Sequence, residues 1–460
     1  MKTVHKKHKY LQIAEKIEEL INDETLKIGE KLPSIRTVST EQGISMGTAF
    51  QAYYNLEAKG LIETRPKSGY YVRLNNVRFP SLPKAHPLEP IVNEGSVQEM
   101  IDAVFKHLGT KDLINFSIGS PSMTLLPVAK LTKSIVHAFR SSPHNCIAYE
   151  DIQGNPELRK QIAKLSFNWG GRTKPDDVVV TSGCMKALVM CLKAVTNIGD
   201  VVAIESPTFF GIFQLIQSLG LKTIEITTDP FEGIDLKYLE KTIKKFKVKA
   251  CVFVTNFNNP LGSCMPDNKK KELVEVLAKY QLPLIEDDIY GELYYGKQRP
   301  KTCKSYDTEG LVLYCSSFSK SLAPGYRVGW CIPGKFTDKV KQLKQIHTVA
   351  STTITQVAIA HFLQIGRFEY HLRSLRKSLH TQCFRYTQAI LAYFPKDIKV
   401  SRPKGGFVLW IELHVNVNSF DLCQRAIRQG ISIAPGRIFS ADEKYRNYLR
   451  IAIAGLMIRT

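Results

Sequence analysis

The chain has 460 residues, a length that predicts two or three domains rather than one. Hydrophobic residues make up 44% of it and charged residues 23%, which is typical of globular proteins and excludes a disordered chain. The formal net charge of +21 favours anionic partners, whether nucleic acids, phosphates or carboxylates. The ten cysteines form no CxxC pair, and we find neither a signal peptide nor an apolar run that could cross a bilayer. We therefore expect a cytoplasmic protein without membrane partner, disulfide framework or metal site.

Residues 1–74 have the pattern of short helices followed by a hairpin. The stretch "YLQIAEKIEELI" repeats apolar residues at helical spacing, and a short second helix follows "EKLP". In "ISMGTAFQAYYNLEAKG", Ser45 can cap a third helix and Gly60 can end it. Two short strands around Pro-Lys-Ser-Gly complete the segment. This order of elements predicts a winged domain whose third helix can enter the major groove of DNA.

Four residues are the candidate DNA contacts of this segment. Arg36, early in the second helix, can bond a guanine edge, and Ser45 and Thr48 can reach phosphates or bases. Lys67, in the hairpin turn, can touch a phosphate or the minor groove. A helical protein-interaction domain with a solvated polar face is the alternative at this point. The outward face of the third helix is predicted to carry Met46, Thr48, Gln51 and Asn55.

The stretch "NNVRFPSLPKAHPLEP" contains four prolines without periodicity, which predicts a semi-rigid linker over residues 75–94. Residues 95–460 alternate short apolar runs with helical patterns. Runs such as "DDVVVTSG", "KACVFVTNFNNP" and "LPLIEDD" end in polar or small residues. This pattern predicts an α/β domain with a mostly parallel sheet, helices on both faces and ligands at the carboxyl ends of the strands. The basic runs "KKFKVK" and "NKKKE" are interpreted as solvated helix faces rather than DNA contacts.

Residues at these strand ends supply the parts that pyridoxal 5′-phosphate (PLP) requires. Lys320, in "SSFSKSLAPGYRVGW", offers an amine for the covalent bond to the cofactor aldehyde, and Asp287, in "EDDIY", can pair with the pyridine nitrogen. Asn259 and Tyr290 can both donate to the ring oxygen O3′. The phosphate candidates are the N–H groups of Gly183, Cys184 and Met185 at a helix start, together with Ser317 and Arg327.

Two further residues complete the predicted site. Phe209, in "ESPTFFG", can stack on the ring, and Arg450, in "YLRIAIAG", can fork onto a carboxylate. Each residue alone has an ordinary structural explanation: Lys320 as a solvated loop lysine, Asp287 as a helix cap, Arg450 in a surface ion pair. Their joint occurrence at successive strand ends favours the cofactor site.

The stretch "GEKLPSIRTVSTEQGISMGTAFQAYYNLEAKGLIETRPKSGYYV" closely resembles the winged helix-turn-helix of the GntR family of bacterial repressors. The stretch from about Ile114 onward resembles fold-type I aminotransferases, on motifs that include "YEDIQGNPELRKQIA", "NNPLG" and "SFSKSLAPGYRVGW". This second resemblance implies a small C-terminal subdomain, a substrate pocket near Gly119 and a dimer in which Tyr149 reaches the partner's cofactor phosphate. Cys184 departs from the usual serine or threonine, so a phosphate-binding hydroxyl is missing.

Together the two halves resemble the MocR (GabR-like) family of bacterial transcriptional regulators. The resemblance implies a homodimer that binds a double-stranded DNA operator. Its aminotransferase-like domain would hold PLP on Lys320 and sense an amino-acid-like effector or PLP itself. Two alternatives remain open. One is a working aminotransferase with an accessory DNA-binding domain, and the other is a plain GntR-type repressor whose large domain only dimerises.

Overall fold

A computed structural model describes residues 8–22, 25–26, 30–58, 60–65, 68–72, 81–83, 92–93, 101–102, 113–141, 143–441 and 443–455. The chain forms two compact units, residues 1–80 and 81–460. The ends predicted for the first domain and for the linker, at residues 74 and 94, lie outside the described residues. In the parts of the chain just given, no helix has the length and apolar character needed to cross a membrane.

The smaller unit folds as three helices and a hairpin. Ser34 caps the second helix, since its Oγ accepts a hydrogen bond of 3.1 Å from the Thr37 N–H. Tyr53 is fully buried, and its hydroxyl donates to the Pro33 carbonyl at 2.8 Å while its ring meets Tyr70 of the hairpin. This one side chain therefore ties the third helix to the turn before the second helix and to the hairpin. The elements are α1 (Lys9–Asn22), α2 (Ile35–Glu41), α3 (Met46–Ala58), β1 (Ile62–Arg65) and β2 (Gly69–Val72).

The larger unit is built on one mixed, mostly parallel sheet. Its strands are β3 (Val92–Asn93), β5 (Val179–Thr181), β6 (Val201–Ser206), β7 (Lys222–Asp229), β8 (Gly233–Ile234), β9 (Ala250–Phe253), β10 (Leu284–Asp287), β11 (Val312–Ser317) and β12 (Gly329–Ile332). The strand order is β3-β7-β6-β9-β10-β11-β12-β5, and β8 pairs with β7. The central strands β7, β6, β9, β10 and β11 are parallel, while β12 runs antiparallel to both its neighbours. Because the central strands are buried on both faces, their sequences are apolar runs rather than alternating patterns.

A second, smaller sheet near the C-terminus confirms the predicted subdomain. It has the order β13-β14-β17-β16 and is antiparallel. The short strand β4 pairs in parallel with β15, so residues 114–115 pack against this subdomain. These strands are β4 (Ile114–Asn115), β13 (Lys399–Val400), β14 (Val408–Glu412), β15 (Ile431–Ser432), β16 (Ala434–Pro435) and β17 (Tyr448–Ala452).

Helices cover the main sheet, as predicted for an α/β domain. Most of them pack buried apolar residues onto the strands or onto each other, and the apolar clusters of the domain share few residues. They are α4 (Val128–Ser141), α5 (Pro143–Ile147), α6 (Pro156–Ser166), α7 (Cys184–Val195), α8 (Phe210–Ser218), α9 (Leu236–Phe246), α10 (Asp267–Lys279), α11 (Thr337–Thr348), α12 (Thr353–Gln364), α13 (Arg367–Tyr393) and α14 (Ser419–Arg428). Short 3₁₀ turns occur at Met123–Leu125, Phe167–Trp169, Pro175–Asp177, Cys303–Tyr306, Pro324–Tyr326, Gly334–Phe336, Gly436–Phe439 and Glu443–Tyr445.

Two findings differ from the sequence analysis. Within the predicted linker, Val92 and Asn93 form strand β3 against β7, and the Ser81 carbonyl accepts a hydrogen bond from Val400 N–H. These residues therefore belong to the larger unit. The sequence pattern did not reveal this, because backbone pairing with an edge strand does not require a regular pattern. In the "NKKKE" run, Lys270 is fully buried instead of solvated, and its ammonium donates to Asn256 Oδ1 at 2.7 Å and to the Lys301 carbonyl at 2.8 Å.

Candidate functional site

The candidate site lies where the parallel strands of the main sheet end. Asp287 is the last residue of β10 and Ser317 the last of the neighbouring strand β11, and Lys320 follows three residues later. Because adjacent parallel strands end at the same edge, sequence segments that are far apart meet here. The strand ends therefore bring together the lysine and the carboxylate that the sequence analysis selected.

Lys320 is held in a position that favours the neutral amine. Its Nζ donates a hydrogen bond to the carbonyl oxygen of Gly119. Burial, followed by the positive charges of Arg450 and Arg327, lowers the pKa of Lys320 to about 8 although Asp287 acts in the opposite sense. An amine with a lowered pKa is a nucleophile at neutral pH, as covalent bonding to an aldehyde requires.

Asp287 is buried and accepts two hydrogen bonds on the same oxygen. Its Oδ1 lies 3.1 Å from the Ile289 nitrogen and 3.3 Å from the Cys184 sulfur. Burial raises the pKa of Asp287 to about 6. A protonated pyridine nitrogen beside it would favour the ionised carboxylate, so this residue fits the predicted partner of the ring nitrogen. The sequence analysis assigned Cys184 only a backbone role, whereas its side chain contacts Asp287.

A buried ionic network holds the turn that carries Asp287. The next residue, Asp288, pairs with Arg299 at 2.5 Å and accepts hydrogen bonds from Tyr314 and Asn256, both at 2.9 Å. The Asp288 and Arg299 side chains are almost completely buried, so the pair is stable only with these additional partners. The sequence analysis missed this support, since nothing in "EDDIY" distinguishes the structural aspartate from the ligand-facing one.

Tyr290, Asn259 and Gly119 meet beside Lys320. Both side chains are buried, burial raises the pKa of Tyr290 to about 12, and Asn259 acts on that pKa in the opposite sense. A side chain on Gly119 would place its Cβ 3.5 Å from the Tyr290 hydroxyl, 3.6 Å from the Phe407 ring and 3.7 Å from Arg450 Nη1. The absence of a side chain at residue 119 leaves the space between the candidate O3′ donors and the arginine open.

Arg450 is buried and only partly bonded. Its Nη2 donates to the Ser117 carbonyl at 2.6 Å, and its guanidinium lies over the Phe439 ring, 5.4 Å from the centroid. Its Nε and Nη1 have no hydrogen-bond partner in the described parts of the chain. Burial lowers the pKa of this guanidinium to about 10. Unpaired donors on a buried guanidinium are costly, and a carboxylate would satisfy them. Phe407 and Phe439, which line this end, carried no recognisable sequence signal.

The phosphate candidates meet at the beginning of α7. Gly183 has φ +91°, and a Cβ there would come within 2.5 Å of Arg327 Nη2. The Arg327 guanidinium therefore lies over the first N–H groups of α7, those of Cys184 and Met185, which a helix leaves without partners. Arg327 is exposed and makes only long hydrogen bonds of 3.4 Å, to Ser319 and Pro324. A helix N-terminus joined by a cation fits a phosphate.

Three predicted residues lie around or outside this group. The Ser317 Oγ accepts a hydrogen bond of 2.9 Å from the Ser319 N–H and so shapes the turn before Lys320. Phe209 is half-buried and packs against the apolar cluster that contains Cys184. Tyr149 stands apart: it is 90% exposed, on the wall of a surface cavity of about 430 Å³ that contains none of the other predicted site residues. The residues present fit the predicted cofactor, with Tyr149 the one that the single chain does not bring to the site.

The candidate DNA contacts lie on the smaller unit. Ser45 caps α3, with its Oγ 3.1 Å from the Thr48 nitrogen and 2.8 Å from the Thr48 hydroxyl. Arg36 is exposed in the first turn of α2. Lys67 lies outside the described residues. On the outward face of α3, Met46 is exposed as predicted; Phe50 and Tyr54 are exposed there as well, which was not predicted, while Thr48, Gln51 and Asn55 are only half-exposed.

Comparison with known proteins identifies both units. The sequence pattern of the family "Aminotransferase class I and II" matches residues 111–458, and that of "Bacterial regulatory proteins, gntR family" matches residues 9–72. The chain is 37% identical over 446 residues to the HTH-type transcriptional regulator YjiR of Escherichia coli, covering 97% of this chain and 95% of that protein. It is likewise 37% identical over 449 residues to the regulator YdcR of Escherichia coli, with the same coverage.

Solved aminotransferases share the fold of the larger unit. A kynurenine aminotransferase of Pyrococcus horikoshii, in complex with PMP, superposes with a TM-score of 0.73 and is 29% identical, over 79% of this chain and 91% of that chain. The α-aminoadipate aminotransferase LysN of Thermus thermophilus, complexed with N-(5′-phosphopyridoxyl)-L-leucine, gives 0.71 at 27% identity, over 77% and 90% of the two chains.

Proposed function

Because the chain belongs to the aminotransferase class I and II family and to the HTH-type transcriptional regulators that join this fold to a GntR-type domain, we propose that it regulates transcription in response to an amino-acid-like ligand. It is a DNA-binding regulator of the MocR type, and its cofactor is PLP. The observation that carries the sensing role is the group of half-buried Lys320 with buried Asp287 and Arg450, on the same chain as a helix-turn-helix. As a DNA-binding regulator, it acts in the cytoplasm.

Each residue of the predicted site has a proposed part in holding the cofactor. PLP, when bound, bonds covalently to a lysine and draws electrons from an amino substrate. Lys320 supplies the amine, Asp287 holds the ring nitrogen protonated, and Asn259 and Tyr290 donate to O3′. Phe209 covers the ring. The phosphate is held by the N–H groups of Gly183, Cys184 and Met185, by Ser317 and by Arg327.

The effector is proposed to be an amino acid or a related compound with one carboxylate. Arg450 has two donors without hydrogen-bond partners among the described residues, and its charge acts on both Lys320 and Tyr290. A carboxylate bonded bidentately to Arg450 would place an amino group toward Lys320, since Gly119 leaves the space between them open. The effector then occupies a site whose polar groups are already oriented, which lowers the entropic cost of binding.

The protein is proposed to act as a homodimer with shared sites. Tyr149 is almost fully exposed and remote from its own site, as expected of a residue that serves a partner's phosphate. Large apolar side chains nearby in the sequence are also exposed, among them Phe139 and Ile147. In the proposed dimer the partner subunit would cover these apolar side chains.

Ligand binding must change DNA affinity through a difference between two states of the dimer. We assign the connection to the linker around residues 75–90. Removing a few of its residues, such as 75–78, should alter the ligand-dependent change in operator affinity while leaving cofactor binding intact. Operator affinity with and without ligand, measured on the full-length deletion variant, checks this. An unchanged ligand response would remove the linker from the proposal.

A working aminotransferase is the second candidate, and the lowered pKa of Lys320 favours it. An amine with a pKa of about 8 can accept and return a proton near neutral pH, as transamination requires. Formation of keto acid from amino donors at an ordinary enzymatic rate, without selective DNA binding, would establish this function in place of the first.

The decisive experiment is binding of PLP-loaded protein to a labelled fragment from upstream of its own gene. A scrambled fragment at the same salt concentration is the control, because a protein of charge +21 binds any DNA at low salt. We expect selective binding, with Lys320→Ala abolishing its response to amino acids. Equal affinity for both fragments would contradict the regulator and favour the enzyme.

A further inference from the structure

The recognition helix α3 presents an apolar stripe to solvent. Met46, Phe50 and Tyr54 are 52%, 52% and 45% exposed and lie four residues apart, so they share one side of the helix. The opposite side carries Ala49, Ala52, Tyr53 and Leu56, all fully buried against α1, α2 and the hairpin. The exposed stripe is therefore not needed to stabilise the fold of the smaller unit.

Helix α3 has few polar side chains that could form hydrogen bonds with DNA bases. Residues 46–58 contain no lysine or arginine, so α3 cannot form the bidentate contact by which these residues recognise guanine. The Thr48 hydroxyl is bonded to Ser45, and the Asn55 Oδ1 is buried without a hydrogen-bond partner among the described residues. Gln51 is half-exposed on the outward side, and an amide of this kind bonds adenine bidentately.

Only one base edge in the major groove is apolar, namely the 5-methyl group of thymine. We propose that α3 reads an A·T-rich half-site, with Met46 and Phe50 against thymine methyl groups and Gln51 on an adenine. This inference rests on the proposed function, in that it requires α3 to enter the major groove. It specifies the class of operator that the helix accepts.

The exposed cations of the smaller unit favour a DNA duplex as the occupant of the stripe over an apolar protein surface. Arg36 in α2 and Lys31 before it are exposed, while α3 itself is free of cations. A duplex presents base edges in the groove and phosphates on its rims, so it can contact both an apolar helix face and exposed cations of the same unit. A purely apolar partner would bury the stripe but would leave these cations without a counterpart.

The test begins with full-length, PLP-loaded protein and duplexes that it selects from a random-sequence pool. The selected duplex is then remade with deoxyuridine in place of each thymidine in turn, which removes a single methyl group. We expect one or two positions per half-site where the substitution weakens binding about fourfold, as the burial of one methyl group predicts. At one or more of these positions, the Phe50→Ala variant should bind the thymidine duplex and the deoxyuridine duplex with equal affinity.

Leu20→Ala is the matched control, since Leu20 is an exposed apolar residue of α1, 42% accessible and outside α3. It should retain the full thymidine preference. Three results would overturn the inference: selected half-sites dominated by G·C pairs, affinity indifferent to deoxyuridine at every position, or a Phe50→Ala variant that weakens both duplexes equally. A Phe50→Ala variant that alters the oligomeric state with wild-type deoxyuridine sensitivity would also overturn it and assign the stripe to protein contact. If no sequence is enriched from the pool, the regulatory function itself fails.

Discussion

The recognition helix of the smaller unit and the cofactor site of the larger unit hold their ligand-facing residues in opposite ways. On α3, Met46 and Phe50 are about half exposed and the fold does not depend on them. In the larger unit, Asp287 and Arg450 are buried among polar partners, and two Arg450 donors have none in the described structure. A buried site of this kind costs stability until its ligand is bound, whereas an exposed helix face costs almost nothing. The protein therefore concentrates its ligand-dependent stability in the larger unit.

The largest expected effect comes from Lys320→Ala, which breaks the buried site and leaves α3 untouched. The variant should lose essentially all covalently held PLP, because no other amine is placed beside Asp287 in the described structure. Absorbance and mass after borohydride reduction and gel filtration measure this. Lys335→Ala, which removes an exposed lysine, should retain the cofactor. A reducible adduct that persists in Lys320→Ala would contradict the assignment.

The pH dependence of stability should reveal Asp287 in cofactor-free protein. Its folded pKa of about 6 is raised above the usual 3.8, so its contribution is full at low pH and is lost as pH rises through the folded pKa. Relative to Asp287→Asn, the wild type should lose about 2 kcal/mol between about pH 4.5 and 7. Urea unfolding at both pH values checks this, and parallel pH curves for the two proteins would refute it.

Lys344 is a buried lysine to which no role in ligand binding is assigned. Its substitution therefore measures the stability cost of burying a charge without changing function. Its side chain is fully buried in α11, its Nζ has no hydrogen-bond partner in the described chain, and burial lowers its pKa to about 8. Lys344→Met should stabilise the protein by about 2 kcal/mol at pH 7. The gain should shrink as pH rises from 8 to 10, where the wild type folds with a neutral amine.

Urea unfolding of full-length protein gives the comparison, with the exposed Lys339→Met of the same helix as control. Equal stabilisation by both changes would show that burial of Lys344 is not the cause.

The smallest effect is expected for Phe50→Ala on the exposed face of α3. Its effect on local stability should stay within about 0.5 kcal/mol, because the ring is half exposed. Tyr53→Ala, three residues later on the buried face, should cost about 3–5 kcal/mol. Hydrogen exchange of the α3 amides in full-length protein measures both. A large destabilisation by Phe50→Ala would mean that the stripe belongs to the fold and not to recognition.

The sequence was informative where one residue type is chemically required. Lys320, Asp287 and Arg450 were selected from motifs, and the structure brings them together: Asp287 and Lys320 at the carboxyl edge of the main sheet and Arg450 from β17 of the smaller sheet. The fold class and the cofactor were predictable for the same reason, since apolar runs ending in reactive residues occur in few architectures. The DNA-facing surface was predicted less well, because Phe50 and Tyr54 follow the same apolar pattern as the core of α3.

The supporting residues of the site could not have been found in this way. Asp288 and Asp287 are neighbours in "EDDIY", and only the packing of Arg299 and Tyr314 decides which carboxylate is structural. The Cys184 thiol contacts Asp287 across 103 positions of sequence, a separation that no local pattern reports. Strand β3 was missed because its partner, β7, and not its own sequence, fixes its backbone.

By itself, the sequence determined the kinds of chemistry and their order: a helix-turn-helix, an α/β domain, a lysine and a carboxylate at strand ends, and an arginine, which the structure places in the middle of β17 and not at a strand end. Local periodicity and reactive residue types carry that information, since both act over a few neighbouring positions. Only the tertiary structure decided which charged side chains are buried away from solvent. The fully buried Lys270, the half-buried Lys269 and the exposed Lys271 share one basic run, and long-range packing alone separates them. The free energy of a charge depends on its surroundings, and distant segments of the chain supply those surroundings.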